Sequence, residues 1–219
     1  MKRAIIFDFD GVIVDSEKAK FETLKKLLKK EKVILNKICF RYMVGMKTKP
    51  FLKKYFKKEL SNEQINNIYS ERERYQLQNL KKYSKPIKGV KNFIGFLKNN
   101  HIKIGLATGS KKEVVNKILN EIGMKNKFDF KVTGEQFKTS KPNPEVYNKA
   151  IKKSKTSKKE IMAIEDSAAG IKSAKGAGLF CVGITTSQSK KELKRADLIV
   201  NSFNQIQKKL VKELNLNLY

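Results

Sequence analysis

The run Ala4-Ile5-Ile6-Phe7-Asp8-Phe9-Asp10-Gly11-Val12 constrains this chain more than any other. An apolar, β-branched stretch ends in two aspartates two residues apart, followed by a glycine. A strand apolar on every position is buried on both faces, as in a parallel sheet. Residues i and i+2 of an extended chain share a side, so Asp8 and Asp10 can face one small volume. Carboxylates brought together cost free energy unless a cation or a shared proton relieves them. Ligands of open α/β sheets gather beyond the C-terminal ends of the strands, where these aspartates fall. The stretch therefore predicts a metal-dependent catalytic pair at the tip of a central strand.

With 219 residues the chain suits one large domain, or a core plus a smaller insert. No apolar run approaches the ~20 residues of a membrane span. The start is basic and then apolar, but Asp8 and Asp10 cut the apolar run too early for a signal peptide. The two cysteines, Cys39 and Cys181, are too sparse for a disulfide framework and point to a reducing compartment, the cytosol. Cys181, inside Leu179-Phe180-Cys181-Val182, reads as a small core residue. The formal charge is +28, from 49 Lys plus Arg against 21 Asp plus Glu. Such a charge attracts polyanions, yet the lysines are spread through nearly every polar segment. They read as solvated helix faces rather than a nucleic-acid site, and no zinc knuckle or aromatic RNP-type motif accompanies them.

Taken in order, the chain predicts a strand over 3–8, then a helix from Glu17 to about Glu31 with Ser16 as N-cap. Pro50 suits the first turn of a second helix. Ser61-Asn62-Glu63-Gln64 carries the start signals of a third helix, running to about Tyr83. Further strands are expected at 102–107, 128–132, 161–164, 180–184 and 198–200, with helices at about 90–99, 111–122, 145–151, 168–176 and 203–214. Strands alternating with helices mean βαβ units and a Rossmann-like, doubly wound parallel sheet. The helical block 16–85 interrupts that pattern and reads as an inserted α-helical cap. The expected division is a catalytic core of 1–15 and 86–219 and a cap of 16–85.

Four polar clusters directly follow four of these strands: Asp8/Asp10, Thr108-Gly109-Ser110, Lys141, and Glu165-Asp166. Each is weak alone. An Asp-x-Asp or a Thr-Gly-Ser is often a turn, Lys141 is one lysine among many, and Glu165-Asp166 suits a helix cap. A parallel sheet brings all four to one edge, and together they supply what phosphoryl transfer needs.

In order and spacing these clusters resemble the motifs of the haloacid dehalogenase-like superfamily, in the subfamily with a helical cap after the first strand. Asp8-Phe9-Asp10-Gly11-Val12-Ile13-Val14-Asp15-Ser16-Glu17 is similar to its opening signature. Ala107-Thr108-Gly109-Ser110, Ser140-Lys141-Pro142-Asn143-Pro144-Glu145 and Ile164-Glu165-Asp166-Ser167-Ala168-Ala169-Gly170-Ile171 are similar to the other three. The resemblance implies that Asp8 is the nucleophile, forming an aspartyl-phosphate. Repulsion between Asp8 and the phosphate is on the order of 4 kcal/mol per unit charge pair at ~4 Å in an effective dielectric near 20. The resemblance implies Mg²⁺ to remove it, held by the Asp8 carboxylate, the Asp10 backbone carbonyl and Asp166, with Glu165 nearby; all-oxygen ligation suits Mg²⁺. Thr108, Gly109 and Ser110 would contact the phosphoryl group. Lys141 would neutralise the intermediate and orient Asp8. Asp10, its carboxyl free, would protonate the leaving oxygen and then deprotonate the attacking water.

An aspartate at position 10 argues for a phosphatase or phosphomutase, since a halide leaves without a proton. The family's β-phosphoglucomutase pattern has a hinge histidine shortly after the opening motif. Here Ser16-Glu17-Lys18-Ala19-Lys20 offers lysine instead, and the one histidine, His101, reads as a solvated loop residue. The expected function is a Mg²⁺-dependent phosphatase acting on a small phosphorylated metabolite, a sugar phosphate or a phosphoglycolate-like compound, as a monomer with no specific nucleic acid and no membrane. The alternative is a sugar phosphomutase. A polyanion-binding protein with a vestigial site is opposed by the intact set Asp8, Asp10, Thr108, Lys141 and Asp166. In the cap, Gly45-Met46-Lys47-Thr48-Lys49 reads as a loop over the substrate. Lys47 and Lys49 are candidate cations there, with ordinary surface lysines as the competing reading, and Gly45 supplies a positive φ.

Overall fold

The computed structural model describes residues 3–214. The apolar run forms β1 (Ala4–Phe7), every residue of it buried. Burying each of Ile5, Ile6 and Phe7 is worth about 1.5–3 kcal/mol, and two neighbouring strands are needed to exclude water along the whole segment. They are β2 (Lys103–Ala107) and β4 (Ile161–Glu165), both parallel to β1, with Phe7 opposite Leu106 on one side and Ile164 on the other. Outside β2 lies β3 (Phe130–Val132); outside β4 lie β5 (Phe180–Ile184) and β6 (Leu198–Val200). The order β3-β2-β1-β4-β5-β6 makes β1 the point from which the sheet winds in both directions.

Alternation sends Ile5 and Phe7 to one face, against α6 (Val90–Asn99), α7 (Lys112–Glu121) and α10 (Phe203–Leu214). Ala4, Ile6, Ala163 and Cys181 face α8 (Glu145–Ser154) and α9 (Ala168–Gly176) on the other. Cys181 is a buried core residue, as expected. His101 is exposed in a turn at φ 54°. Among the described residues no helix is long and apolar enough to cross a membrane.

Between β1 and α6 the chain builds α1 (Glu17–Lys30), α2 (Lys37–Met43), α3 (Thr48–Tyr55), α4 (Asn62–Gln78) and α5 (Leu80–Tyr83). These helices close on an apolar cluster of their own, including Phe21, Leu24, Leu28, Phe51, Leu52, Ile65 and Ile68. The outgoing and returning segments run side by side: Asp15 N–H donates to Lys85 O (2.8 Å) and Ile87 N–H to Ile13 O (3.0 Å). The cap is thus joined to the core through two adjacent strands of chain.

Three sequence expectations change. Helix α2 was not foreseen; its start is marked by Asn36, whose side chain accepts from Cys39 N–H. The capping box at Ser61 and Gln64 forms as read, but that helix ends at Gln78. Asn79 leaves helical geometry and its amide donates to Tyr75 O (2.8 Å), separating α4 from α5. Strand β3 starts at Phe130 rather than Phe128, because Asp129 turns its carboxylate onto Ile104 N–H of β2 (2.7 Å).

Candidate active site

The four polar clusters meet at the C-terminal edge of the sheet. Asp8 follows β1 with its N–H on Ile164 O (3.0 Å), and Thr108 follows β2 with its N–H on Val132 O (3.0 Å). Lys141, in the loop before α8, buries its ammonium between them. It donates to Asp8 Oδ1 (2.6 Å), Glu165 Oε1 (2.6 Å) and Ala107 O (3.3 Å). Tyr147 of α8 adds a hydrogen bond to Glu165 Oε1 (2.6 Å). Burial opposes the Lys141 charge, but Asp8 and Glu165 outweigh it and raise its pKa above the usual lysine value.

Asp8, Glu165 and Asp166 bring one carboxylate oxygen each within 4.8 Å of one another, all buried. Three carboxylates around one ammonium leave two negative charges uncompensated. Burial, resisted by Lys141, pushes Asp8 up to about 7. Asp166 is raised well above the usual carboxylate range by burial and by the charges of Asp8, Glu165 and Glu17. The Ser187 hydroxyl lies near enough to temper that rise, but among the described residues neither oxygen of Asp166 has a hydrogen bond of full geometry, which marks a buried group awaiting a partner. A hard divalent cation fits this donor set: oxygen ligands only, and two missing positive charges. Glu165 is the least available of the three, because Lys141 and Tyr147 occupy one oxygen and Ser167 Oγ lies 3.4 Å from the other.

Gly11 makes this closeness possible. Its φ is +80°, and a Cβ there would lie 1.8 Å from Asp166 Oδ2. Only glycine lets the turn after Asp10 pass over the acidic cluster.

Asp10 departs from expectation. Its carboxyl is not free: Ser16 Oγ donates to Oδ1 (2.5 Å), Ser110 Oγ donates to Oδ2 (2.7 Å), and the Lys20 ammonium pairs with Oδ2. Burial alone would raise its pKa. The Lys20 charge and these hydrogen bonds reverse that and hold Asp10 below its ordinary value, as a carboxylate. Ser16, expected as a helix cap, occupies the N-cap position but makes no side-chain cap bond; its hydroxyl is committed to Asp10. Ser110, expected against the substrate, is likewise turned to Asp10, while its N–H donates to Thr108 Oγ1 (3.0 Å).

Core and cap together enclose a cavity of about 230 Å³, lined by Asp8, Asp10, Thr108, Gly109, Ser110 and Lys141 from the core and by residues of the loop before α3, α1 and α4. Gly45, at φ +79°, lets the cap loop approach so closely that a Cβ would lie 2.2 Å from Ser167 Oγ. Beside it Lys47 is half-buried. Its ammonium donates to Gly134 O (2.8 Å) and Phe137 O (3.1 Å) and lies 3.6 Å from the Phe137 ring centre. Burial lowers its pKa. Lys49 donates to Asn66 Oδ1 (2.7 Å) and also faces the cavity. Both candidate lysines therefore reach the site.

Sequence reasoning missed Glu17, Lys20, Tyr69, Arg72, Glu73 and Tyr147. The spacing of Ser16, Glu17 and Lys20 puts them on one helical face, but nothing in the sequence separates Lys20 from the chain's other lysines.

A family model described as haloacid dehalogenase-like hydrolase matches residues 5–184. The provisionally designated phosphatase YhcW of Bacillus subtilis is 33% identical over 186 residues, covering 83% of each chain. A phosphorylated carbohydrates phosphatase of Thermotoga maritima is 28% identical over 180 residues, covering 80% of this chain and 82% of that one. The crystal structure of β-phosphoglucomutase from Clostridium difficile superposes with a TM-score of 0.86 at 28% identity, over 99% of this chain and 100% of that one. Sequence, fold and the arrangement of Asp8, Thr108, Lys141 and Asp166 agree: the chain belongs to the haloacid dehalogenase-like hydrolase family.

Proposed function

We propose that this chain is a Mg²⁺-dependent phosphatase that hydrolyses a small phosphorylated metabolite through an aspartyl-phosphate on Asp8. One observation carries the reading: Lys141 holds Asp8 at 2.6 Å while Asp10, two residues on, faces the same cavity between core and cap. The core is taken as 1–15 and 86–219 and the cap as 16–85, in a cytosolic monomer with no specific nucleic-acid partner.

Asp8 attacks phosphorus through the oxygen that Lys141 does not hold. Lys141, fixed by Glu165 and Tyr147, orients Asp8 and balances the charge of the phosphoryl group. The Thr108 hydroxyl and the Gly109 N–H donate hydrogen bonds to the phosphoryl oxygens. The Asp8 and Asp166 carboxylates and the Asp10 backbone carbonyl would hold Mg²⁺, with Glu165 beside them. When bound, the ion offsets the two uncompensated charges and stabilises the transferring phosphate. Asp10 starts as a carboxylate, ready to take the proton of the water that cleaves the intermediate. Its role in protonating the leaving oxygen requires it first to gain a proton against the pull of Lys20. On closing over bound substrate the cap would exclude bulk water from the cavity.

A sugar phosphomutase is the second reading, favoured by the likeness to β-phosphoglucomutase over the whole chain. The lysine at position 20 weighs against it, since this ammonium holds Asp10 in the form suited to activating water. Assaying phosphorylated metabolites with Mg²⁺, including β-glucose 1-phosphate with and without a bisphosphate, separates the two. Release of phosphate exceeding isomerisation supports the phosphatase. Bisphosphate-stimulated isomerisation exceeding hydrolysis supports the mutase. No Mg²⁺-dependent turnover of any phosphate ester refutes both.

A further inference from the structure

The loop after β5 belongs to none of the four motifs, and Thr186, Ser187, Gln188 and Glu192 in it do not line the cavity. It nevertheless touches the acidic cluster and the cap together. Thr186 Oγ1 donates to Gly11 O (2.5 Å), and the Ser187 hydroxyl lies near Asp166. Gln188 is buried, and its side-chain amide spans core and cap: Oε1 accepts from Ala168 N–H (2.7 Å) and Nε2 donates to Arg41 O (2.8 Å). Ala168 opens α9 two residues after Asp166, and Arg41 lies in the last turn of α2. One amide thus satisfies an orphan N–H at the start of one helix and an orphan carbonyl at the end of another. Its oxygen meets the positive end of α9 and its NH₂ the negative end of α2, so both contacts have the favourable sign. Glu192 ties the same loop to the cap a second time, accepting from Arg41 Nε (2.5 Å) while it also accepts from Ser189 N–H (2.9 Å). Gly45, two residues past α2, comes so close to Ser167 that it leaves no room for a Cβ. Cap segment 41–45 therefore sits on the turn 166–168.

We propose that Gln188 is a positioning residue that couples Mg²⁺ binding at Asp166 to the seating of cap loop 41–47. This rests on the metal ligands assigned in the phosphatase reading. Without a cation, the Asp166 carboxylate is crowded by Asp8, Glu165 and Glu17. Ligation favours one placement of that carboxylate and so fixes the turn Asp166-Ser167-Ala168, with the Ala168 N–H directed at Gln188. The amide of Gln188 is one rigid plane, so an oxygen set on Ala168 also sets the NH₂ on Arg41 O. With Arg41 held, Gly45 rests on Ser167 and Lys47 reaches Gly134 and Phe137 across the cavity. An apolar side chain at 188 would fill the same space but leave both backbone groups without these partners. The coupling is reciprocal by linkage: Mg²⁺ seats the loop, and the seated loop tightens Mg²⁺.

Amide hydrogen exchange and titration calorimetry on the full chain, with and without MgCl₂ and with no substrate present, test this. The reporters are the Val44 and Met46 N–H groups, which bond to Phe40 O (3.2 Å) and Met43 O (3.0 Å) within the cap loop. In wild type, saturating MgCl₂ should slow their exchange by about 5- to 50-fold. In Gln188→Met the same amides should respond by less than about twofold, and the Mg²⁺ Kd should rise by the factor lost. Exchange in α6, on the far side of the sheet from α9, should match wild type. If Gln188→Met fails to fold, Gly45→Ala replaces it: the added Cβ presses on Ser167 and should unseat the loop with the same loss of response and the same weakening of Mg²⁺. Wild-type reporters insensitive to Mg²⁺ overturn the proposal, as does a variant that responds like wild type with an unchanged Kd. Protection lost in α6 as well as in the cap loop also overturns it, since Gln188 would then be a general structural support. Mg²⁺ binding without coupling overturns this inference alone; no Mg²⁺ binding at all overturns the Mg²⁺-dependent phosphatase reading with it.

Discussion

The two walls of the cavity are made differently. On the core side the groups around Asp8 are buried and held by short bonds: Lys141 between two carboxylates, Tyr147 on Glu165, and three donors on Asp10. On the cap side, Lys20 apart, the charged groups lean on neutral or partial partners, as Lys47 does on carbonyls and Glu73 on Arg72 through one oxygen only. Chemistry common to every turnover needs fixed geometry, because small misplacements of reacting groups are expensive. Recognition of one particular substrate leaves bonds to be completed by that substrate. The contrast separates the residues expected to govern kcat from those expected to govern which molecule reacts.

The largest effect should come from replacing Asp8, the proposed nucleophile. Asp8→Asn keeps the side chain's shape, so the fold should persist by circular dichroism while turnover falls by about 10⁴-fold or more. Near-normal activity would show that the core wall was misread. Next, Asp10→Asn should cost about 10²–10⁴-fold on alkyl phosphates, whose leaving oxygen needs a proton. Its cost on p-nitrophenyl phosphate should be smaller. Equal losses on the two substrates would remove Asp10 from the proton transfer.

Third, the acidic cluster makes stability depend jointly on pH and Mg²⁺. Asp8 and Asp166 have folded-state pKa values raised by burial. The folded metal-free protein therefore binds more protons than the unfolded chain, and this contribution is present below about pH 4 and lost as pH rises through about 7. Mg²⁺ competes with those protons. Thermal melting with EDTA or excess MgCl₂ should show a larger Mg²⁺-induced rise in Tm at pH 8 than at pH 5. Binding at a hundredfold excess over Kd is worth about 2.7 kcal/mol, a shift of several degrees for a chain of this size. A rise equal at both pH values would mean that the ion binds elsewhere. Smallest, Lys47→Met should loosen the cap's hold on Gly134 and Phe137 and raise KM by about 2- to 10-fold, with little change in kcat. A matching fall in kcat would place Lys47 with the core machinery.

The sequence was most informative where the chain is most apolar and most local. β1, the alternation of strands and helices, and the gathering of Asp8, Thr108, Lys141 and Asp166 at one edge all followed from periodicity and topology. Element boundaries held where caps announce them, as at Ser61, and slipped where a side chain intervenes, as at Asn79 for a helix and Asp129 for a strand. Asn36 was a legible cap that went unread. The helical cap's contribution to the site was mostly invisible. Glu17 and Lys20 lie at i and i+3 on a helix whose other charged residues face water, and Arg72 and Glu73 sit in a run, Glu71-Arg72-Glu73-Arg74, that reads as a solvated face.

By itself the sequence determined the sheet, the order of its motifs, and which residue types stand at the tip of each strand. Those follow from the burial of β1 on both faces and the rule that ligands gather at the shared C-terminal edge of parallel strands. Only the tertiary structure decided how the two aspartates differ. Asp8 is bound to Lys141 and crowded by Glu165 and Asp166. Asp10 is held ionised by Lys20, a residue of the cap. Those pairings join residues as far apart as Asp8 and Lys141, so their charges and hydrogen bonds exist only once sheet and cap have closed around them, and no local pattern encodes which lysine arrives.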